Sequence, residues 1–450
     1  MNKHRKKITI GIIFFAILMG TFGILSFSPK LADIFQRAVA QNEGEDGTIL
    51  SLTQEENTEE ISTEANENVL TLEDTTYAIS AGAEEENYSS LSSVEEVDDL
   101  TDTNYAIRTT ADWVKLQKFS QSSSLSGKVF YLYWPENSSS AETWSLTSEQ
   151  IGTGIGSDEY PFAGTLVPYA YPMTIQTTGT LFYSLSSKAV IGNKNHKNSG
   201  NSFTIVNAIA GSTSNEGGLA KNYIIEDENV NLADRFYTIK ITGSIQSTGT
   251  VGGLFGKVTK ADTIITSTIT LSENIDIDLS GVTEFKGSVA GGLFGEVSGS
   301  IIMNLESMPS VATKVVADDP ASNNGTEPLT LTVCAGGLIG KMSDDSKLVS
   351  TAGIDESTTP EYLVIGNDVG GEGISGGLVG VVYNSEVNVS YIQKNSVKIT
   401  EGAYEPYISA KYICGGFIGL VQSSKVELAH LKLNADVKAY YSEDASRYTA

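Results

Sequence analysis

The chain has 450 residues, a formal net charge of -26 and only 19% charged residues, which makes it acidic yet charge-poor beside the roughly 25% usual for a soluble domain. Its 2 Cys exclude a disulfide framework and a thiolate zinc cluster, and its 3 His leave little room for a histidine-built metal site. The excess of acid argues against nucleic acid and anionic lipid as partners, because both carry the same sign of charge.

In chain order, the first element is a cationic head. Lys3, Arg5, Lys6 and Lys7 precede an uncharged run from Ile8 to Phe27, which as a helix is long enough to cross a bilayer core of roughly 30 Å. Ala38-Val39-Ala40 fits the small-x-small pattern of a signal-peptidase site. Residues 1–40 therefore read as a signal peptide, with an uncleaved membrane anchor through residues 8–27 as the rival. Either way, the remainder is expected outside the cytoplasm, as an extracellular or cell-surface protein. Residues 41–102 carry no Lys or Arg and include Glu84-Glu85-Glu86 and Glu95-Glu96-Val97-Asp98-Asp99. So much like charge with so few large apolar residues offsets little chain entropy, which predicts a disordered acidic linker over 41–102.

Residues 103–178 read as an N-terminal cap with the opening rungs of a repeat structure. The segment Thr110-Ala111-Asp112-Trp113-Val114-Lys115-Leu116-Gln117-Lys118-Phe119 offers Thr110 as an N-cap and sets Trp113, Leu116 and Phe119 on one helical face. This helix is expected to plug the first rung with that face. A strand over Lys128–Trp134 follows. Gly152-Thr153-Gly154-Ile155-Gly156 lacks the Lys-Ser/Thr of a P-loop and reads as a turn.

Residues 179–450 repeat. Five segments share a glycine pair, two bulky apolar residues and a further glycine, with first glycines at Gly252, Gly291, Gly336, Gly376 and Gly415. Degenerate copies begin at Gly179 and Gly217. A nearly fixed step in this range marks a solenoid, a propeller or an array. After each motif come a polar turn and runs of period-2 alternation, such as Val387-Asn388-Val389 and Ile275-Asp276-Ile277-Asp278-Leu279, the pattern of short strands with one buried face. Each repeat reads as about three such strands, which predicts an all-β fold, a parallel β-helix (β-solenoid) with one rung per repeat. The rival, a β-propeller, needs hairpin turns, and Asn-Gly or Asp-Gly is scarce. The glycine pair is expected to supply positive φ at a corner and close approach between rungs. The chain stops after Gly415 about where another repeat would begin, which suggests the N-terminal part of a longer protein.

The repeated Gly-Gly-Leu-Phe/Ile/Val-Gly core resembles the GLUG motif of secreted bacterial surface and adhesin-like proteins and of some IgA-specific metallopeptidases. The resemblance covers about 179–450. The spacing here is longer than the family's common short repeat, and the Asn-Cys/Tyr-rich segment that often follows the motif is missing. The resemblance implies a surface β-solenoid with an adhesive or scaffolding role, and it transfers no catalytic residue.

The chemistry-bearing residues make no recognisable constellation. His4, His196 and His430 stand in no ligand spacing. Cys334 and Cys414 lie two repeats apart, too far for a disulfide. Among acid pairs, Asp276 with Asp278 is expected on the outer face of one strand, where calcium binding is the alternative to simple solvation; Asp318 with Asp319 and Asp344 with Asp345 read as turn acids. Tyr404 and Tyr407, in Tyr404-Glu405-Pro406-Tyr407, offer rings that could stack on sugars. No catalytic, cofactor-binding or metal-binding residue is assigned, and no enzyme activity is expected. The leading function is an adhesin or structural stalk whose partner is a host or matrix protein, a glycan or another copy of itself. A polysaccharide-degrading β-helix enzyme and a substrate-targeting module of a larger surface peptidase are the alternatives.

Overall fold

The computed structural model describes residues 88–133, 143–169, 173–194, 203–318, 333–350, 362–363, 368–390, 407–429, 431–433 and 435–439. All of them belong to one compact unit running from Glu85 to Ala450. The signal segment, most of the acidic linker, His196 and His430 lie outside the described residues.

The repeat body is a parallel β-solenoid. One rung serves as reference: β1 (Thr250–Gly252), β2 (Phe255–Lys260), β3 (Ser267–Leu271) and β4 (Ile277–Gly287). Each strand stacks in parallel on its equivalents one repeat away, giving sheets of six strands on β1, seven on β2, six on β3 and nine on β4. The rung thus has four strands where the sequence suggested three. The additional one, β1, is only three residues long, too short to show an alternating pattern. The glycine motifs are in strict register: Gly217, Gly252, Gly291, Gly336, Gly376 and Gly415 occupy one column. Rung-to-rung bonds run through the motif itself, as from Leu254 N–H to Leu293 O (2.8 Å) and from Leu293 N–H to Leu338 O (2.9 Å).

The two motif glycines that open each copy do not take positive φ; neither Gly252 nor Gly253 is among the residues in that region. Their reason is space alone. A Cβ on Gly252 would sit 1.7 Å from Phe255 O, and one on Gly253 would sit 1.9 Å from Gly292 O. β1 folds back so sharply onto β2 that any side chain would strike backbone. Positive φ falls instead at the corner between the second and third strands, at Asp344, Asp345, Asn384 and Ser423. There Asn and Asp tolerate the left-handed region because their short side chains bond locally. Asn384 donates from Nδ2 to Asp345 Oδ1 of the rung below, at 3.4 Å.

The third glycine of the motif has a separate cause. A Cβ at Gly256, Gly295, Gly340, Gly380 or Gly419 would lie 2.5 to 2.7 Å from a carbonyl oxygen of the preceding rung. The copy at Gly217 has Lys221 at that position, and its rung opens the six-stranded sheet with no β1 equivalent before it. The lysine pairs with the buried Glu216 carboxylate at 3.1 Å.

Inward residues form one continuous apolar core. Leu219, Leu254, Leu293, Leu338 and Leu378 are fully buried or nearly so, each worth about 1.5–3 kcal/mol of transfer free energy. Next to that column Tyr223, Phe255 and Phe294 stack ring on ring, at 4.3 and 5.7 Å between centroids. In the last described rung the inner positions open to solvent: Val421 and Val437 are 43% exposed, whereas Val382 and Ile408, their partners one rung earlier, are 0% exposed.

At the other end α1 (Thr110–Ser120) buries Trp113, Leu116 and Phe119 in the same core, as the apolar spacing required. Its N-cap is Thr109, one residue earlier than expected: the Thr109 hydroxyl accepts from Asp112 N–H while the Asp112 carboxylate accepts from Thr109 N–H, a reciprocal cap. A five-stranded parallel sheet carries Ser89–Ser90, Asn104–Ile107, Val129–Leu132, Thr165–Pro168 and Val190–Ile191. The expected strand over Lys128–Trp134 is thus the shorter Val129–Leu132. Residues 88–102, assigned to the acidic linker on charge, belong to this folded end. Leu91 is completely buried and Ser89–Ser90 pairs with Tyr105–Ala106, so a few apolar side chains outweigh the local acid. Gly152, Gly154 and Gly156 all take positive φ, as a turn demands.

Candidate interaction surface

The widest outer face belongs to the nine-stranded sheet. Its strands after β4 are Lys314–Ala317, Asp368–Gly371, Tyr407–Ala410 and Asp436–Ala439. Alternation sends Val315, Val369 and Ile408 inward, where they are at most 1% exposed. Their neighbours face solvent in two columns. One runs Ser244, Glu284, Lys314, Asp368, Tyr407, Asp436; the other runs Gln246, Lys286, Val316, Gly370, Ser409, Lys438.

Charge on this face is arranged across rungs. Lys240 meets Asp278 at 3.6 Å, Lys314 meets Glu284 at 2.6 Å and Lys286 meets Asp318 at 2.5 Å. Lys240, Lys286, Lys314, Lys411 and Lys438 stand against Asp278, Glu284, Asp318, Asp368, Glu372 and Asp436, so among the described residues the face is within one charge of neutral. The same device stitches other sheets, in the ladders Lys257–Glu296–Lys341 and Lys347–Glu386–Lys425. Each such pair is worth under about 1 kcal/mol at a solvated surface, but like charges would meet if a strand slipped to the wrong neighbour.

Titration follows the pairing. Burial pushes the Asp278 carboxyl up, yet the Ser280 hydroxyl and N–H together with Lys240 outweigh it and hold the group below its usual range. The bond from Lys347, with its charge, likewise holds Glu386 low. Lys286 is raised, first by its bond to Asp318 and then by the fields of Asp318, Glu284 and Glu372, against a burial that would lower it.

The residues singled out from sequence scatter. Asp276 immediately precedes β4, with a buried Oδ2 that has no partner, while Asp278 is on the strand and paired with Lys240. Asp318 is held by Lys286, and Asp319 lies outside the described residues. Asp344 and Asp345 are turn acids, as read; the Ser298 hydroxyl bonds Asp344 at 2.7 Å and is the main reason its carboxyl lies low. Cys334 and Cys414 are free thiols on rungs two steps apart. Burial pushes Cys334 up to about 12. Tyr407 is on the outer face and 39% exposed; Tyr404 lies outside the described residues. Among the described residues, no group of three or more His, Cys, Asp or Glu side chains could hold a metal ion, and no helix is long and apolar enough to cross a membrane.

The cross-rung charge ladders escaped the sequence reading, although a signal for them existed. Lys257, Glu296 and Lys341 follow one another by the same steps as the glycine motifs, and Lys347, Glu386 and Lys425 stay within one residue of them. No protein-family model, no curated protein and no solved structure matches the chain.

Proposed function

We propose that the chain is an exported surface protein whose β-solenoid serves as an adhesin or rigid binding scaffold. The observation that carries this reading is the division between the two sides of each strand. Inward columns repeat the same residue types from rung to rung, whereas the outer face of the nine-stranded sheet changes character at every rung. A solenoid that only spaced two objects apart would need no such variety, and long lateral faces are the surfaces repeat proteins use to bind. The cationic and apolar head at residues 3–27 supports export, and the likeness of the glycine segments to the GLUG motif supports a surface role.

The titration pattern favours binding over bond cleavage. General acid–base chemistry calls for a carboxyl raised or a lysine lowered toward neutrality. On this face Asp278 is lowered and Lys286 raised, so both stay charged. The test is surface display of the full chain on a bacterial cell that does not adhere by itself. Displaying cells are expected to adhere several-fold better than bare cells to surfaces coated with matrix proteins or with polysaccharides. Equal adherence on every coating would sink the proposal.

A further inference from the structure

One place on the nine-stranded face differs from its surroundings. In the column Lys286, Val316, Gly370, Ser409, Lys438, the two lysines bound a stretch in which the side chains shrink to Val, Gly and Ser. The adjacent column carries Lys314, Asp368 and Tyr407 alongside it. Beyond the other side, Lys411 follows Ala410 and its ammonium lies 5.3 Å from the Tyr412 ring centroid. The result is a short depression with a small-residue floor and taller walls. It crosses three rungs, or about 10 Å at ~4.8 Å per rung.

Its floor holds a polar group with unused capacity. Ser409 is 8% exposed, and its hydroxyl has no hydrogen-bond partner among the described residues. With 8% of the residue exposed, this side of the strand still reaches solvent. A Cβ at Gly370 would come within 2.9 Å of that oxygen, so only glycine leaves the hydroxyl clear on that side. Tyr407 stands in the wall beside it with a ring 39% exposed.

We propose that this depression, floored by Gly370 and Ser409 and walled by Tyr407, binds a neutral glycan chain. The assignment rests on the adhesive reading above and names its ligand class. An exposed tyrosine ring offers an apolar plate of the kind that packs on the C–H face of a pyranose, and its hydroxyl stays in water. Ser409 can both donate to and accept from a sugar hydroxyl. A pyranose advances an extended polysaccharide by about one rung spacing, so two consecutive units fit the floor. Among the described residues, Asp368, Glu372 and Asp436 stand against Lys411 and Lys438 beside the floor, so an anionic polymer meets no net positive charge. A peptide strand has no route to backbone pairing here, because strands in the middle of a sheet have already used their hydrogen bonds.

The experiment is affinity gel electrophoresis of the full chain through gels containing laminarin, xylan, mannan or, as the anionic probe, polygalacturonate. At least one neutral polymer is expected to retard the parent protein. Tyr407→Ala should weaken that retardation at least fivefold, Tyr407→Phe should keep it, and Ser409→Val should weaken it measurably. Thermal melts monitor folding, and if Tyr407→Ala fails to fold, Ser409→Val decides. Retardation by none of the neutral polymers, by polygalacturonate alone, or equally in the parent, Tyr407→Ala and Ser409→Val proteins would overturn the assignment. Cells that adhere to matrix proteins while no neutral polymer retards the chain would remove the glycan and leave the adhesive reading standing.

Discussion

The glycine corner and the outer face of the nine-stranded sheet are parts of the same rungs, yet they obey opposite rules. At the corner, Gly252, Gly291, Gly336, Gly376 and Gly415 recur without exception, because a Cβ on each would lie 1.7 to 2.1 Å from a carbonyl oxygen. On the outer face, Lys286, Val316, Gly370, Ser409 and Lys438 occupy equivalent positions and change character from each rung to the next. Sequence repetition therefore maps where backbone meets backbone. Sequence variation maps where only solvent or a partner is met.

The sharpest way to break this comparison is at the corner. Gly291→Ala should destabilise the protein by about 3 kcal/mol or more, because the obstructing Phe294 O is backbone and cannot rotate away; a urea-denaturation loss under about 1 kcal/mol would refute the steric account. In the adjoining core column, Phe255→Ala removes a fully buried ring stacked on both sides and should cost about 3–5 kcal/mol in the same assay. Outer-face changes should be far smaller. A double-mutant cycle on Lys286 and Asp318 is expected to give a coupling of under about 1 kcal/mol, and a value near that of the core substitution would erase the contrast between the two regions.

The pH response sharpens it further. The folded Asp278 carboxyl lies below its unfolded value, so the stability it contributes is present above the unfolded value of about 4 and is lost as pH falls through the folded one. The Asp278→Asn protein should therefore lose less stability than the parent when equilibrium unfolding is compared between pH 5 and pH 2. Because Asp278 is 45% exposed, the difference should stay within a few tenths of a kcal/mol. Last, native Cys334 should resist iodoacetamide at pH 8 far longer than after unfolding, since burial holds its thiol protonated.

Much of the solenoid could be read from the chain alone. A fixed glycine step, alternating Val, Ile and Leu, and a helix with Trp113, Leu116 and Phe119 at steps of three each reflect a local requirement that stacking imposes on every repeat. The outer face was legible only in fragments. Tyr407 stands out in the sequence for its ring, but its neighbours across the sheet, Asp368 and Asp436, come from other repeats, and the loops that separate those repeats differ in length. Charge density extends the acidic linker to residue 102, but Leu91 finds its place in the core and folds residues 88–102 with the N-terminal end.

By itself the sequence determined the repeat, its rung spacing and the inward columns, because backbone pairing and burial act on each rung in the same way. Only the tertiary structure decided that there are four strands to a rung, that the paired glycines make room for carbonyl oxygens without adopting positive φ, and which outward residues from separate repeats stand side by side. Those are contacts between distant parts of the chain, and no local pattern encodes them.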